Sequence, residues 1–201
     1  MILMTVHDVL ARIETLFLTH GQRPCAEAGE PHRSVTALQH ALQCAQLAEW
    51  AEADDALVVA ALLHDIGHFF PNEAAAGVPH EERALPWLMA AFPPAVTEPI
   101  RLHVAARRYL VGVDARHAEQ LSPAAVYKLA RQGGAMDATE VRHFEALPYG
   151  RDAVQLRLWD DMARHPGQAT PPLAHYLRLI AHLLGSTPAG RTSGRELLAA
   201  A

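Results

Sequence analysis

Only two cysteines, Cys25 and Cys44, occur among the 201 residues. That is too few for a disulfide framework, and both are expected as reduced thiols of a cytoplasmic protein. Long hydrophobic runs are also missing. His7, Asp8 and Arg12 interrupt the apolar start, so neither a signal peptide nor a membrane span is expected. The net charge is −5, which removes the electrostatic case for a nucleic-acid surface. No segment sustains apolar and polar alternation between hairpin turns, and no internal repeat is found, so sheets are not expected.

What is present is helical periodicity nearly everywhere, in a chain whose length suits one domain. The pattern predicts an all-α fold. A first helix covers 6–19, with Val9, Leu10, Ile13, Leu16 and Phe17 on one stripe. Residues 20–34 carry Gly and Pro without periodicity and read as a loop long enough to be functional. Helices follow over 36–51 and 54–65, the latter capped by Asp54 or Asp55, and over 80–91. Pro93 and Pro94 open the next. Ser122 followed by Pro123 starts another, Asp137 and Glu140 form a capping box, and 149–164 and 172–184 complete the set.

The predicted helix at 54–65 is apolar except near its end, where "LLHDIGH" introduces His64, Asp65 and His68. Burying an unsatisfied polar group costs roughly 2–7 kcal/mol, so such residues need partners, and a metal is one. A capped helix end broken by Gly67 is the plainer reading. Histidine is abundant, at 13 residues, and His40 and His103 also lie among apolar neighbours, where a lone histidine is more often a core residue bonded to a carbonyl. His80 and the pair Asp160 and Asp161 complete the set. Four imidazoles and two carboxylates can fill two octahedral ions if one carboxylate bridges and exogenous ligands complete the shells. That donor mix suits iron or manganese, and the lack of thiolates argues against structural zinc. Asp65, beside a candidate ligand, is the natural bridge.

The order His, His-Asp, distal Asp resembles the HD-domain superfamily, a helical fold best known for phosphohydrolases. His80 and His103 make it look like the dinuclear subset. The strings "LQHALQCAQLAEWAEADDALVVAALLHDIGH", "FPPAVTEPIRLHVAARRYL", "LSPAAVYKLARQGGAM" and "RLWDDMARHPGQATPPLAHY" are similar to the mixed-valent diiron oxygenases of phosphonate degradation, which are related to myo-inositol oxygenase. The resemblance covers roughly 36–184. It implies an HD domain over 1–184 with a tail over 185–201, and two iron ions with O2 as co-substrate. His40, His64, Asp65 and Asp160 would hold one iron, with Asp65 bridging to a second held by His80 and His103. Asp160 is preferred to Asp161 because the family's last ligand directly follows an aromatic residue, here Trp159.

The resemblance further implies oxidative cleavage of the C–P bond of a 1-hydroxyphosphonate, giving a carboxylate and phosphate. Arg107, one turn after His103, and His68, one turn after His64, are the expected phosphonate contacts and catalytic groups. Lys128 and Gln132 are further candidates for the pocket wall, whereas Arg108 reads as solvated. Amine-reading relatives carry a tyrosine and a glutamate ten and seven residues before the first ligand, where this chain has Glu30 and Arg33. An arginine repels an ammonium, which shifts the expected substrate to 1-hydroxy-2-(trimethylamino)ethylphosphonate and the product from glycine to glycine betaine. A carboxylate from Glu27 or Glu30 in the pocket would restore the primary amine. Phe69, Tyr109, Trp159 and Tyr176 are candidate aromatic faces for the quaternary ammonium. An upstream 2-oxoglutarate-dependent hydroxylase would supply the alcohol. The alternative is an HD phosphohydrolase that needs only His40, His64, Asp65 and Asp160.

Overall fold

The centre of the molecule is a helix that is apolar on every side, as a buried helix must be. In a computed structural model, which describes residues 4–25, 35–70, 78–119 and 121–186, this helix is α3 (Asp55–Leu63), with seven of its residues buried. Around it lie α1 (Val6–His20), α2 (Ala37–Trp50), α4 (His80–Arg83), α5 (Leu85–Ala91), α6 (Pro94–Val113), α7 (Ala115–Glu119), α8 (Pro123–Arg131), α9 (Ala138–Glu145), α10 (Gly150–Met162) and α11 (Leu173–Ser186). No strand occurs among the described residues, only an isolated bridge between Pro24 and Thr36.

Local chemistry sets most boundaries. Thr5, Thr36 and Asp137 each close a reciprocal capping box with Asp8, Gln39 and Glu140, which satisfies orphan N–H groups at the helix start. Asp54 rather than Asp55 caps α3, and Ser122 caps α8. Two expectations change. The helix expected over 54–65 stops at Leu63, and a 3-10 turn, Ile66–Phe69, follows. The helix expected over 80–91 is two helices that meet at Ala84, because Pro86 sits at the start of α5 and cannot donate the backbone bond that would continue α4.

One large core joins α1, α2, α3, α5, α6, α10 and α11, and Leu102, Ala106, Met136, Phe144 and Ala153 form a smaller one beneath α9. The two cores share α6 and α10, which pack along one another and against α3. The segment just after α10 is tied to α2 by polar contacts. Buried Gln43 donates to the His165 carbonyl at 2.8 Å and accepts from the His165 N–H at 3.0 Å, mimicking a backbone pair. α2, α3, α6 and α10 therefore converge at fixed distances, and each carries a histidine or aspartate at the point of convergence or just past its end.

Candidate metal centre

The six proposed ligands come together. His40 lies on α2, His64 caps the C-terminus of α3, Asp65 follows it, and His103 and Asp160 lie on α6 and α10. His80 opens α4. Their donor atoms form two groups. In the first, His40 Nε2 is 3.3 Å from His64 Nε2, 3.2 Å from Asp160 Oδ1 and 3.9 Å from Asp65 Oδ2. In the second, His80 Nε2 is 3.2 Å from Asp65 Oδ1 and 3.3 Å from His103 Nε2. The two oxygens of Asp65 face different groups.

The separations of 3.2 and 3.3 Å are those of neighbouring ligands on one ion, and the longer 3.9 Å from His40 to Asp65 is closer to that of ligands on opposite sides. Bonds of about 2.0–2.1 Å give ligand-to-ligand edges of roughly 3.0–3.4 Å at octahedral or tetrahedral angles. The ring orientations agree. Nδ1 of His40, His64 and His103 lies 2.8, 2.9 and 2.6 Å from the carbonyls of Ala163, Ala61 and Ile100. Each carbonyl accepts the Nδ1 proton and leaves Nε2 a bare lone pair, the tautomer a metal requires. The residues fit a pair of metal ions.

Electrostatics point the same way. Removal from water would raise Asp65 and Asp160, yet both are held well below the ordinary carboxylate range, Asp65 by His64, His80 and His40, and Asp160 by Arg157 and the imidazoles. Burial and neighbouring His80 and His64 push His103 down to about 3. Burial also opposes charge on His40, but Cys44 and Asp160 outweigh it and raise His40 well above its usual value. The cluster thus keeps both carboxylates ionised and His103 neutral, as metal coordination requires, while His40 and His80, both raised, give up a proton to an incoming ion.

A cavity of about 620 Å³ opens on the centre. Arg107, His68, Lys128 and Gln132 line it, together with Arg23 and Arg131. Arg107 is buried. His68 stacks on the His80 ring at 4.1 Å between centroids, and partial desolvation, against the pull of Asp65, lowers it to about 4. Of the aromatic candidates only Phe69 lines the cavity, with Phe17. Tyr109 donates to Glu145, Tyr176 donates to Glu49, and Trp159 is in the core. Glu27, Glu30 and Arg33 lie outside the described residues.

Residues 37–132 match the HD domain family. A hydroxymethylphosphonate dioxygenase of Gimesia maris is 44% identical over 150 residues, covering 71% of this chain and 75% of the relative. The glycine-betaine-forming [1-hydroxy-2-(trimethylamino)ethyl]phosphonate dioxygenase of Leisingera caerulea is 35% identical over 162 residues, covering 78% and 81%. The chain belongs to the HD-domain phosphonate oxygenases.

As a member of that family it is an oxygenase that uses a metal and O2. No helix among its described residues is long and apolar enough to cross a membrane. Three features of this oxygenase were not singled out from sequence. Arg157, fully buried on α10, reaches Asp160 Oδ2 at 2.5 Å and also pairs with Asp161. Its signal was its place one turn before the two aspartates. Cys44, one turn beyond His40, puts Sγ 3.7 Å from His40 Nε2, so a thiol does stand beside the first group. Glu81 Oε2 is 3.1 Å from His80 Nδ1. Arg108, expected to be solvated, instead pairs with Glu140 at 2.6 Å and donates to the Gly134 carbonyl at 2.9 Å, clamping α6 to the start of α9.

Proposed function

We propose that this protein cleaves the C–P bond of a 1-hydroxyphosphonate with O2, on two irons held by His40, His64, Asp65 and Asp160 on one side and by Asp65, His80 and His103 on the other. The observation that carries this reading is the split of the Asp65 carboxylate between two donor groups. A phosphohydrolase needs the first group only, so a second complete group argues for the dinuclear oxygenase. The reaction balances as RCH(OH)PO3²⁻ + O2 giving RCOO⁻, HPO4²⁻ and H⁺. When bound, the irons would activate O2 and relay to it the electrons that the substrate's C–H and C–P bonds give up.

The chain's own groups bind and orient. Arg107 and Lys128 offer cations for the phosphonate, and the planar guanidinium can grip two of its oxygens. His68, neutral near pH 7, offers an N–H donor beside His80. Phe17, Leu62, Ile66 and Phe69 on the cavity wall exclude water from the carbinol carbon. The HD domain would extend over residues 1–184. The alcohol that the reaction consumes requires a prior hydroxylation, the reaction of a 2-oxoglutarate-dependent hydroxylase. Two cysteines without disulfide partners support a cytoplasmic setting.

The proposed substrate is 1-hydroxy-2-(trimethylamino)ethylphosphonate, the substrate named for the Leisingera relative, with Phe17 and Phe69 as the aromatic surface. A second reading, hydroxymethylphosphonate, is favoured by the cavity charge: among its described lining residues Arg23 and Arg131 stand at the wall, and the only carboxylates are Asp65 and Asp160. The test is O2 uptake and phosphate release by iron-loaded protein with each compound at equal concentration. Coupled, equimolar O2 loss and phosphate release is expected. Phosphate release under argon would overturn the oxygenase reading and return the phosphohydrolase. Faster turnover of the compound without a nitrogen would replace the trimethylated substrate.

A further inference from the structure

His80 differs from the other three imidazoles in what holds it. The others donate Nδ1–H to backbone carbonyls within their own fixed helices or, for His40, just past the end of α10. Beside His80 Nδ1 stands a carboxylate instead, Glu81 Oε2 at 3.1 Å. That oxygen is buried and makes no hydrogen bond in its present orientation, and among the described residues Glu81 has no ion pair with a lysine or arginine. A buried carboxylate oxygen without a donor is costly. At that separation a rotation of the ring or of the carboxylate suffices to bring the pair into hydrogen-bonding alignment.

The surroundings explain why this ligand needs a dedicated holder. α4 is a single turn with no side-chain cap at its start. The His80 side chain is 19% exposed, whereas those of His40 and His64 are 1% and 0%. The second donor group also has three protein atoms against four in the first. Its ion depends more on each ligand.

We infer that Glu81 is a positioning residue for the second metal ion. Its carboxylate accepts the Nδ1 proton of His80, fixes the tautomer that leaves Nε2 free to face Asp65 Oδ1, and adds negative charge behind the ligand. Such carboxylate–histidine–metal arrangements typically contribute about 10–100-fold to metal affinity. The inference rests on His80 being a ligand, as proposed above.

The experiment is an anaerobic titration of ferrous iron into wild-type protein and the Glu81→Ala, Glu81→Gln and His80→Ala variants, read by chelator competition and by the electron paramagnetic resonance signal of the half-oxidised pair. Wild type should bind two ions per chain. Glu81→Ala should bind the first ion with unchanged affinity and the second about 10–100-fold more weakly, with a matching loss of the coupled signal. Glu81→Gln, which keeps an acceptor oxygen and loses the charge, should fall between them. The metal-free variants should keep the circular dichroism of metal-free wild type, and a loss confined to the second ion is what a merely structural role would not produce. Equal weakening of both ions, or a second-ion affinity unchanged in Glu81→Ala, overturns the inference. His80→Ala reports separately on the centre: two tightly bound ions in that variant would overturn the dinuclear reading itself.

Discussion

Asp160 and Asp161 are chemically identical neighbours, yet they serve different ends because successive residues on a helix point about 100° apart. Asp160 faces His40 and His64, with its second oxygen on Arg157, while Asp161 turns to Arg157 and His117. Asp160→Asn should therefore remove a charged ligand and lose at least one ion per chain. Asp161→Asn should keep both ions and lower stability by about 1–3 kcal/mol, the cost of leaving a buried guanidinium short of a charged partner. Metal analysis and denaturant unfolding of the two variants check this, and two ions retained in Asp160→Asn would show that the ligand is misassigned. Arg107→Ala should leave iron content intact and raise KM for a hydroxyphosphonate about tenfold or more, since it removes a cation from the cavity wall and no metal donor. Loss of iron at unchanged KM would move Arg107 out of the substrate site. Residue identities in the donor set were legible because ligand chemistry restricts the choice to histidine and carboxylate. Arg157, Cys44 and Glu81 were not, since arginine, cysteine or glutamate on a helix usually has a reason unconnected with a metal.

Elements were legible wherever a cap or a proline announced them, as at Asp54, Ser122 and Asp137. The break at Ala84 was open to the same reasoning, since Pro86 imposes it, whereas the 3-10 turn after Leu63 was not, because it answers to packing against α4. Gly67 in that turn lies so close to α4 that a Cβ built on it would stand 1.8 Å from the His80 carbonyl oxygen. The approach is what brings Asp65 Oδ1 to His80 Nε2. Gly67→Ala must push α4 away from the turn, and overpacking of this kind costs typically 1–3 kcal/mol. The expected result is loss of the second ion before the first, together with a lower denaturation midpoint. Two ions bound as tightly as in wild type would mean that α4 can retreat without taking His80 from the centre.

At the scale of the whole molecule, helical periodicity carried the fold class, while the convergence of α2, α3, α6 and α10 on one point could be expected only through the resemblance of the motif order. Convergence has a thermodynamic consequence. Each ion binds donors from three segments, and the pair from five, so both bind only the folded chain and each contributes RT ln(1 + [L]/Kd), about 2.7 kcal/mol at a hundredfold excess over Kd. For a chain of this size that corresponds to roughly 5–10 °C in melting temperature, which chelation should remove and iron should restore. The gap should also depend on pH. Protons compete with metal for imidazole nitrogen, so the loaded form loses its advantage as pH falls from 7 towards 5. The metal-free form responds to several groups at once. His68 and His103, lowered to about 4 and about 3 in the fold, bind protons in the unfolded chain first, so their contribution is present above about pH 6.5 and is lost on acidification. His40 and His80 are raised in the fold, and theirs is present below about pH 6.5 and is lost as pH rises through the folded values. These terms oppose one another in the metal-free protein, and its melting temperature should vary less between pH 5 and 7 than that of the loaded form. Thermal scans of both forms over that range should show the two curves closing towards acid. A gap that widens as pH falls would exclude histidine as the source of the stabilising ligands.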